Sequence, residues 1–169
     1  RRPRFAELTL GYRLPGPSMA LAAKVLRLAA PGLTPPSSVR DVGDAPVILA
    51  SSDERLGPDL AAAVRNEIAE VGSGNVAVIV PGSMVAAVEG LLGAHGVDFG
   101  RAHRGNLDHQ VTVAPVGLVK GLELDACIVV EPQAILDEEA RGPQALYVAL
   151  TRATRRLTVL HARPLPDVL

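Results

Sequence analysis

Uninterrupted apolar runs that close on proline or glycine punctuate this chain, and they leave few folds open to it. NVAVIV (75–80) ends at Pro81-Gly82, and DACIVVE (125–131) ends at Pro132. A strand with one wet face alternates apolar and polar residues; a continuous run needs cover on both faces. VILAS (47–51), VTVAPV (111–116) and RRLTVLHA (155–162) read as further strands. Between them lie helix candidates. One runs from Ser18, a capping residue, to about Ala30, with Leu21, Val25 and Leu28 at helical spacing and Pro31-Gly32 as its stop. Others run from Pro58 to Val71, from Ser83 to His95 and from Pro143 to Ala153, the first two stopping at Gly72 and Gly96. Strands alternating with helices predict an α/β fold: a mostly parallel sheet with helices on both faces. In such sheets ligands gather beyond the C-terminal ends of the strands. The loops that follow strands are therefore where chemistry is expected.

The 169 residues suit a single domain spanning 1–169. Hydrophobic residues make up 48% but aromatics only 2%, so the core must be built from Ala, Val and Leu. The net charge of -1 gives no global attraction to nucleic acid or an anionic membrane, so any such contact must come from a local patch. Cys127 is the one cysteine and sits inside an apolar run, which reads as a core residue in a reducing compartment. His95, His103, His109 and His161 show no metal-ligand spacing. No apolar run approaches the roughly 18 residues that span a bilayer, and RRPRF at the start is not followed by a signal-peptide core. A cytoplasmic protein without membrane contact is expected. The first residue is Arg rather than Met, which reads as a piece of a larger protein.

Three segments stand apart from the generic pattern: LTLGYRLP (8–15), VAPVGLVKGLELDACIVVE (113–131) and ALYVALTRATRRLTVL (145–160). In this order they resemble the C-terminal motifs of UvrD/Rep-type superfamily 1 DNA helicases, whose usual forms are NYR, KGLEF and YVALTRA. The stretch Tyr147–Ala153 is identical to the last of these, and Lys120–Glu123 to the first four residues of the second, with Leu124 in place of Phe. The resemblance implies a C-terminal RecA-like domain, the second half of a split ATP site. It implies that Arg152 is an arginine finger, that Arg13 contacts the γ-phosphate, that Tyr12 stacks on adenine and that Glu123 contacts the ribose. Gly121 would let the loop approach its neighbours, and Lys120 and Thr151 would couple nucleotide state to nucleic acid. An always-charged, forked guanidinium suits the charge that grows on a transferring phosphoryl group.

Position alone allows plainer roles. Arg152 could balance a helix dipole, Arg13 could be a surface residue, Tyr12 could cap the core, and Thr151 could bond back within its helix. Arg155 and Arg156 read as a solvated face, and ILDEEA (135–140) as an exposed acidic loop. No G-x-x-x-x-G-K-[ST] phosphate loop occurs, so ATP and its magnesium would be held chiefly by an N-terminal RecA-like domain, and this chain alone should not hydrolyse ATP. Two departures bear on function. About 105 residues separate Arg13 from Lys120, too few for the large inserted domain of UvrD and Rep beside the β/α pattern. Gly117 stands where the family often has a His that contacts nucleic acid. The expected partners are the N-terminal RecA-like domain and, weakly, single-stranded DNA. The departures also resemble the HelD branch, which acts on RNA polymerase, and a non-catalytic RecA-like interaction module is a third reading.

Overall fold

In a computed structural model the chain is described over residues 10–11, 14–38, 43–102 and 109–169. A short parallel pair, β1 (Leu10–Gly11) and β2 (Ser37–Ser38), brackets helix α1 (Gly16–Ala29). The remaining strands are β3 (Val47–Ala50), β4 (Val76–Val80), β5 (Gly100–Arg101), β6 (Val111–Pro115), β7 (Leu124–Val130) and β8 (Ala153–His161). These six form one wholly parallel sheet in the order β3-β8-β7-β4-β6-β5. Helices α2 (Leu56–Val71), α3 (Val85–Ala94), α4 (Pro132–Glu138) and α5 (Gly142–Leu150) complete the described fold.

The continuous apolar runs follow from this layering. Successive side chains of a strand point to opposite faces. Val76, Val78 and Val80 of β4 pack with Leu60 and Val64 of α2 and Val88 and Leu92 of α3. Ala77 and Ile79 turn the other way, into a second core with Val25 of α1 and Leu146 and Leu150 of α5. Cys127, at the middle of β7, lies in that second core and is fully buried. β3 is the exception: as an edge strand it leaves Val47 and Ile48 about two-fifths exposed.

Two segments differ from their sequence reading. The acidic stretch that reads as a loop is largely helix α4, because Pro132 fits a first turn and Ala134 and Ile135 face the core. Arg156 is not on a solvated face. Its Nε donates to Glu67 at 2.7 Å, and its Nη1 bonds Asp44. Glu67 is buried on α2 and also accepts from the Thr158 hydroxyl at 2.8 Å. Burial opposes the charge of Arg156, but the hydrogen bond to Glu67 and the charges of Glu67, Asp44 and Glu70 together outweigh it and hold its pKa above the ordinary value.

One strained residue went unforeseen. Glu131, just past β7, sits at φ 52° in the left-handed region, which costs a non-glycine residue about 1 kcal/mol. Its buried carboxylate accepts the backbone N–H of Ala162 at 2.6 Å and of Arg163 at 3.3 Å. The C-terminal ends of β7 and β8 are tied together by this contact.

Candidate functional site

The second and third motif segments meet at the N-terminal edge of the sheet. In a parallel sheet, a helix that precedes a strand must end at that strand's N-terminal edge, and α5 delivers Thr151 and Arg152 there just before β8 begins. β6 and β7 flank β4 and run the same way, so segment 116–123 must carry the chain back across the sheet. It does so through a 3₁₀ turn at Val116–Leu118, buries Val116 and Val119, and sets Leu122 and Glu123 beside the start of β7. These motif residues thus lie at the N-terminal ends of β7 and β8, not beyond the C-terminal strand ends where ligands are expected to gather.

Backbone and side-chain bonds join the two segments. The Leu124 N–H donates to the Arg152 carbonyl at 3.2 Å, and the Thr154 hydroxyl donates to the Leu124 carbonyl at 3.2 Å. β7 is anchored on its other side as well. The Asp125 N–H donates to Asn75 Oδ1 at 2.8 Å, and the Asn75 N–H returns a bond to Asp125 Oδ2 at 2.9 Å. Gly74 makes room for this exchange, since a Cβ there would lie 2.7 Å from Asp125 Oδ2. Gly121 adopts φ 87°, which only glycine takes without strain, and so permits the turn that brings Leu122 back to the sheet.

Arg152 is part-buried and held by three uncharged oxygens. Its Nε donates to the Val148 carbonyl at 3.1 Å, its Nη2 to the Thr151 hydroxyl at 3.2 Å, and its Nη1 lies 3.5 Å from the Leu122 carbonyl. Among the described residues no carboxylate pairs with it. The guanidinium therefore rests on the C-terminal end of α5, where the helix dipole favours a cation, and no described carboxylate neutralises its charge.

A cavity of about 200 Å³ opens beside it, lined by Leu14, Met19, Leu122, Glu123, Tyr147, Thr151, Arg152 and Thr154. Burial pushes the Tyr147 phenol up in pKa, and the neighbouring Arg152 charge pulls against that shift. Of the residues singled out from sequence, Glu123, Thr151 and Arg152 line this cavity together. Lys120 and Gly121 are exposed on the turn and do not line it. Tyr12 and Arg13 lie outside the described residues; Leu14, which follows them, is buried and lines the same cavity. Sequence reasoning gave no role to Tyr147, although it lay within the quoted motif; its i to i+4 spacing from Thr151 was the signal.

A larger trough of about 420 Å³ lies between β3 and α2, lined mainly by Val47, Leu49, Ala62 and Ala63, and it contains none of the motif residues. Its buried carboxylate, Glu67, is already engaged by Arg156 and Thr158. Among the described residues no cluster of His, Cys, Asp and Glu could hold a metal ion, and no helix is long and apolar enough to cross a membrane.

Comparison with known proteins agrees with the architecture. Residues 63–161, more than half of the chain, match the family described as the viral superfamily 1 RNA helicase core domain. The chain superposes on the C-terminal domain of a possible DNA helicase from Lactobacillus plantarum WCFS1 with a TM-score of 0.73 at 23% identity, covering 94% of this chain and 91% of that one. It also superposes on the Sulfolobus solfataricus SWI2/SNF2 ATPase core in complex with double-stranded DNA, with a TM-score of 0.52 at 16% identity, covering 94% of this chain and 35% of that one. At these identities the two structures speak for the RecA-like fold. No curated protein matches the chain.

Proposed function

The chain belongs to the viral superfamily 1 RNA helicase core domain family, and from that premise we propose that it is the second RecA-like half of an ATP-dependent DNA helicase or translocase of UvrD/Rep type. The observation that carries this reading is Arg152: a part-buried guanidinium without a carboxylate partner among the described residues, on the wall of a cavity it shares with Glu123. A cation so placed invites an anion.

The cavity fits part of ATP rather than all of it. At about 200 Å³ it is smaller than the roughly 300 Å³ at which ligand pockets usually begin. That is the expected form of one wall of a divided site. When bound between the halves, ATP supplies the transferable phosphoryl group, with magnesium held by the N-terminal RecA-like domain. In this chain Arg152 would neutralise charge developing on the phosphoryl oxygens, aided by Arg13. Glu123 would accept from the ribose, and Tyr12 would lie against the base. Gly121 lets the turn carrying Glu123 close on the site, and Lys120 and Thr151 would relay closure to nucleic acid. Domain closure and reopening would turn hydrolysis into movement along a strand.

The test is made on the full-length protein and on this chain alone. ATP turnover stimulated by single-stranded DNA in the former, and none in the latter, is the expected pair of results. Turnover by the isolated chain would remove the divided-site reading. One observation favours a second reading. The described residues between Leu14 and Lys120 are taken up by α1 through β6 and their connections, leaving no inserted domain. A HelD-like motor that acts on RNA polymerase fits that economy. Polymerase binding without strand unwinding would select it.

A further inference from the structure

The hydroxyl of Thr151 stands at the centre of the bonds that hold Arg152. Thr151 is 8% exposed and caps the C-terminal end of α5. Its hydroxyl donates to the Val148 carbonyl at 3.1 Å and, with that proton committed, accepts from Arg152 Nη2 at 3.2 Å. The same Val148 carbonyl accepts Arg152 Nε at 3.1 Å and the Thr151 N–H at 3.2 Å. One helix-end oxygen and one hydroxyl thus hold the Nε and Nη2 groups along one edge of the guanidinium. A hydroxyl is the group this position needs, because it must donate to a carbonyl and accept from a cation at once. Valine has the same shape and can do neither. Arginine carries five N–H donors, and three are directed at Val148, Leu122 and Thr151. The remaining two have no partner among the described residues.

We propose that Thr151 is the positioning residue for Arg152, setting the guanidinium's orientation toward the cavity through its side-chain hydroxyl. This deepens the divided-site reading and rests on it. Thr151 acts through Arg152 rather than on the nucleotide. Its loss therefore changes how well the cation is aimed and leaves the other nucleotide contacts alone. Misplacement on the scale of an ångström costs up to about a hundredfold in rate, and the loss of one of three restraints is expected to cost about tenfold.

The experiment uses Thr151→Val, Thr151→Ser and Arg152→Ala in the full-length protein, with ATP turnover measured at saturating single-stranded DNA. The expected result is a kcat about tenfold lower for Thr151→Val, a KM for ATP within about twofold of the parent, and near-parental turnover for Thr151→Ser. A second readout needs no turnover: the Nη2 protons of Arg152, which the Thr151 hydroxyl accepts, should exchange with water several-fold faster in an NMR spectrum of Thr151→Val than of Thr151→Ser. Parental kcat and parental exchange in Thr151→Val, with Arg152→Ala inactive, would overturn the positioning role and leave the divided site standing. Equal losses in Thr151→Val and Thr151→Ser would also overturn it, because the hydroxyl would then not be the cause. Parental turnover in Arg152→Ala would remove the divided-site reading and the positioning role with it.

Discussion

The first residue of β7 is hydrogen-bonded to the residue just before β8: the Leu124 N–H donates to the Arg152 carbonyl at 3.2 Å. Leu124 and Arg152, separated along the chain by the rest of β7, α4 and α5, are joined by this bond, which the Thr154 hydroxyl on the Leu124 carbonyl and Arg152 Nη1 on the Leu122 carbonyl reinforce. It fixes the backbone from which the guanidinium projects, while Val148 and Thr151 fix the side chain. The cation is held from both ends before any partner arrives.

Arg152→Ala in the full-length protein is expected to reduce ATP turnover by about a thousandfold, the lower end of what an arginine finger contributes. Nucleotide affinity should change by only a few-fold, since other groups would hold the base and sugar. Steady-state turnover together with titration of a fluorescent ATP analogue checks both halves of the statement.

Glu67→Ala should destabilise this chain by about 3 kcal/mol, near the low end for breaking a buried ion pair. Arg156, with a side chain 16% exposed, would lose its 2.7 Å partner, although Asp44 and Glu70 still face it. Thr158 would lose its acceptor as well. Urea unfolding of the two proteins gives the difference, and a loss below about 1 kcal/mol would show that the two remaining carboxylates suffice.

Burial raises the Cys127 thiol well above its ordinary pKa, with Arg152 pulling weakly the other way. The native thiol should therefore resist alkylation at pH 8 and react fully in denaturant. The raised value also has a sign for stability. Its contribution is complete below the unfolded thiol's pKa near 9 and declines as pH rises toward the folded value, because only the unfolded chain then releases the proton. Thiol labelling with and without urea, from pH 7 to 10, checks the reactivity.

Gly74→Ala would push a methyl against the Asp125 carboxylate at 2.7 Å and disturb its exchange of bonds with Asn75. Overpacking and the displaced hydrogen bonds together should cost about 2 kcal/mol in a thermal or urea melt. Asn75→Ala should show a similar loss, and the double variant should lose less than the sum, as expected for residues that share a contact.

Much of the sheet was legible because burial on two faces writes itself as uninterrupted Val, Ile and Ala. The strands 76–80, 111–115 and 124–130 fall within a residue of their expected limits for that reason. β5 was illegible: two residues on an edge carry no periodicity. Helix α4 was misread because its acids, Asp137 and Glu138, crowd its exposed end while its buried side rests on Ala134 and Ile135. Arg155 and Arg156 looked alike, yet Arg156 reaches the buried carboxylate of Glu67 while Arg155 stays exposed and bonds the Val71 carbonyl. For the site, the motif strings named Glu123, Thr151 and Arg152 but not that the two strand starts they precede lie side by side. That depended on strand order, which sets β8 against β7 and which local sequence does not encode.

The delivery of Arg152 by the end of α5 also limits how this region can change length. An α-helix advances about 100° per residue, so a single residue inserted or removed between Ala145 and Leu150 would swing everything after it by that angle while β8 stayed in register with β7. The guanidinium would leave the cavity and the buried Leu146–Leu150 stripe would rotate out of the core together. Substitutions in α5 can be absorbed one at a time; a frame slip cannot, and natural variation in length should fall on the exposed turn before the helix instead.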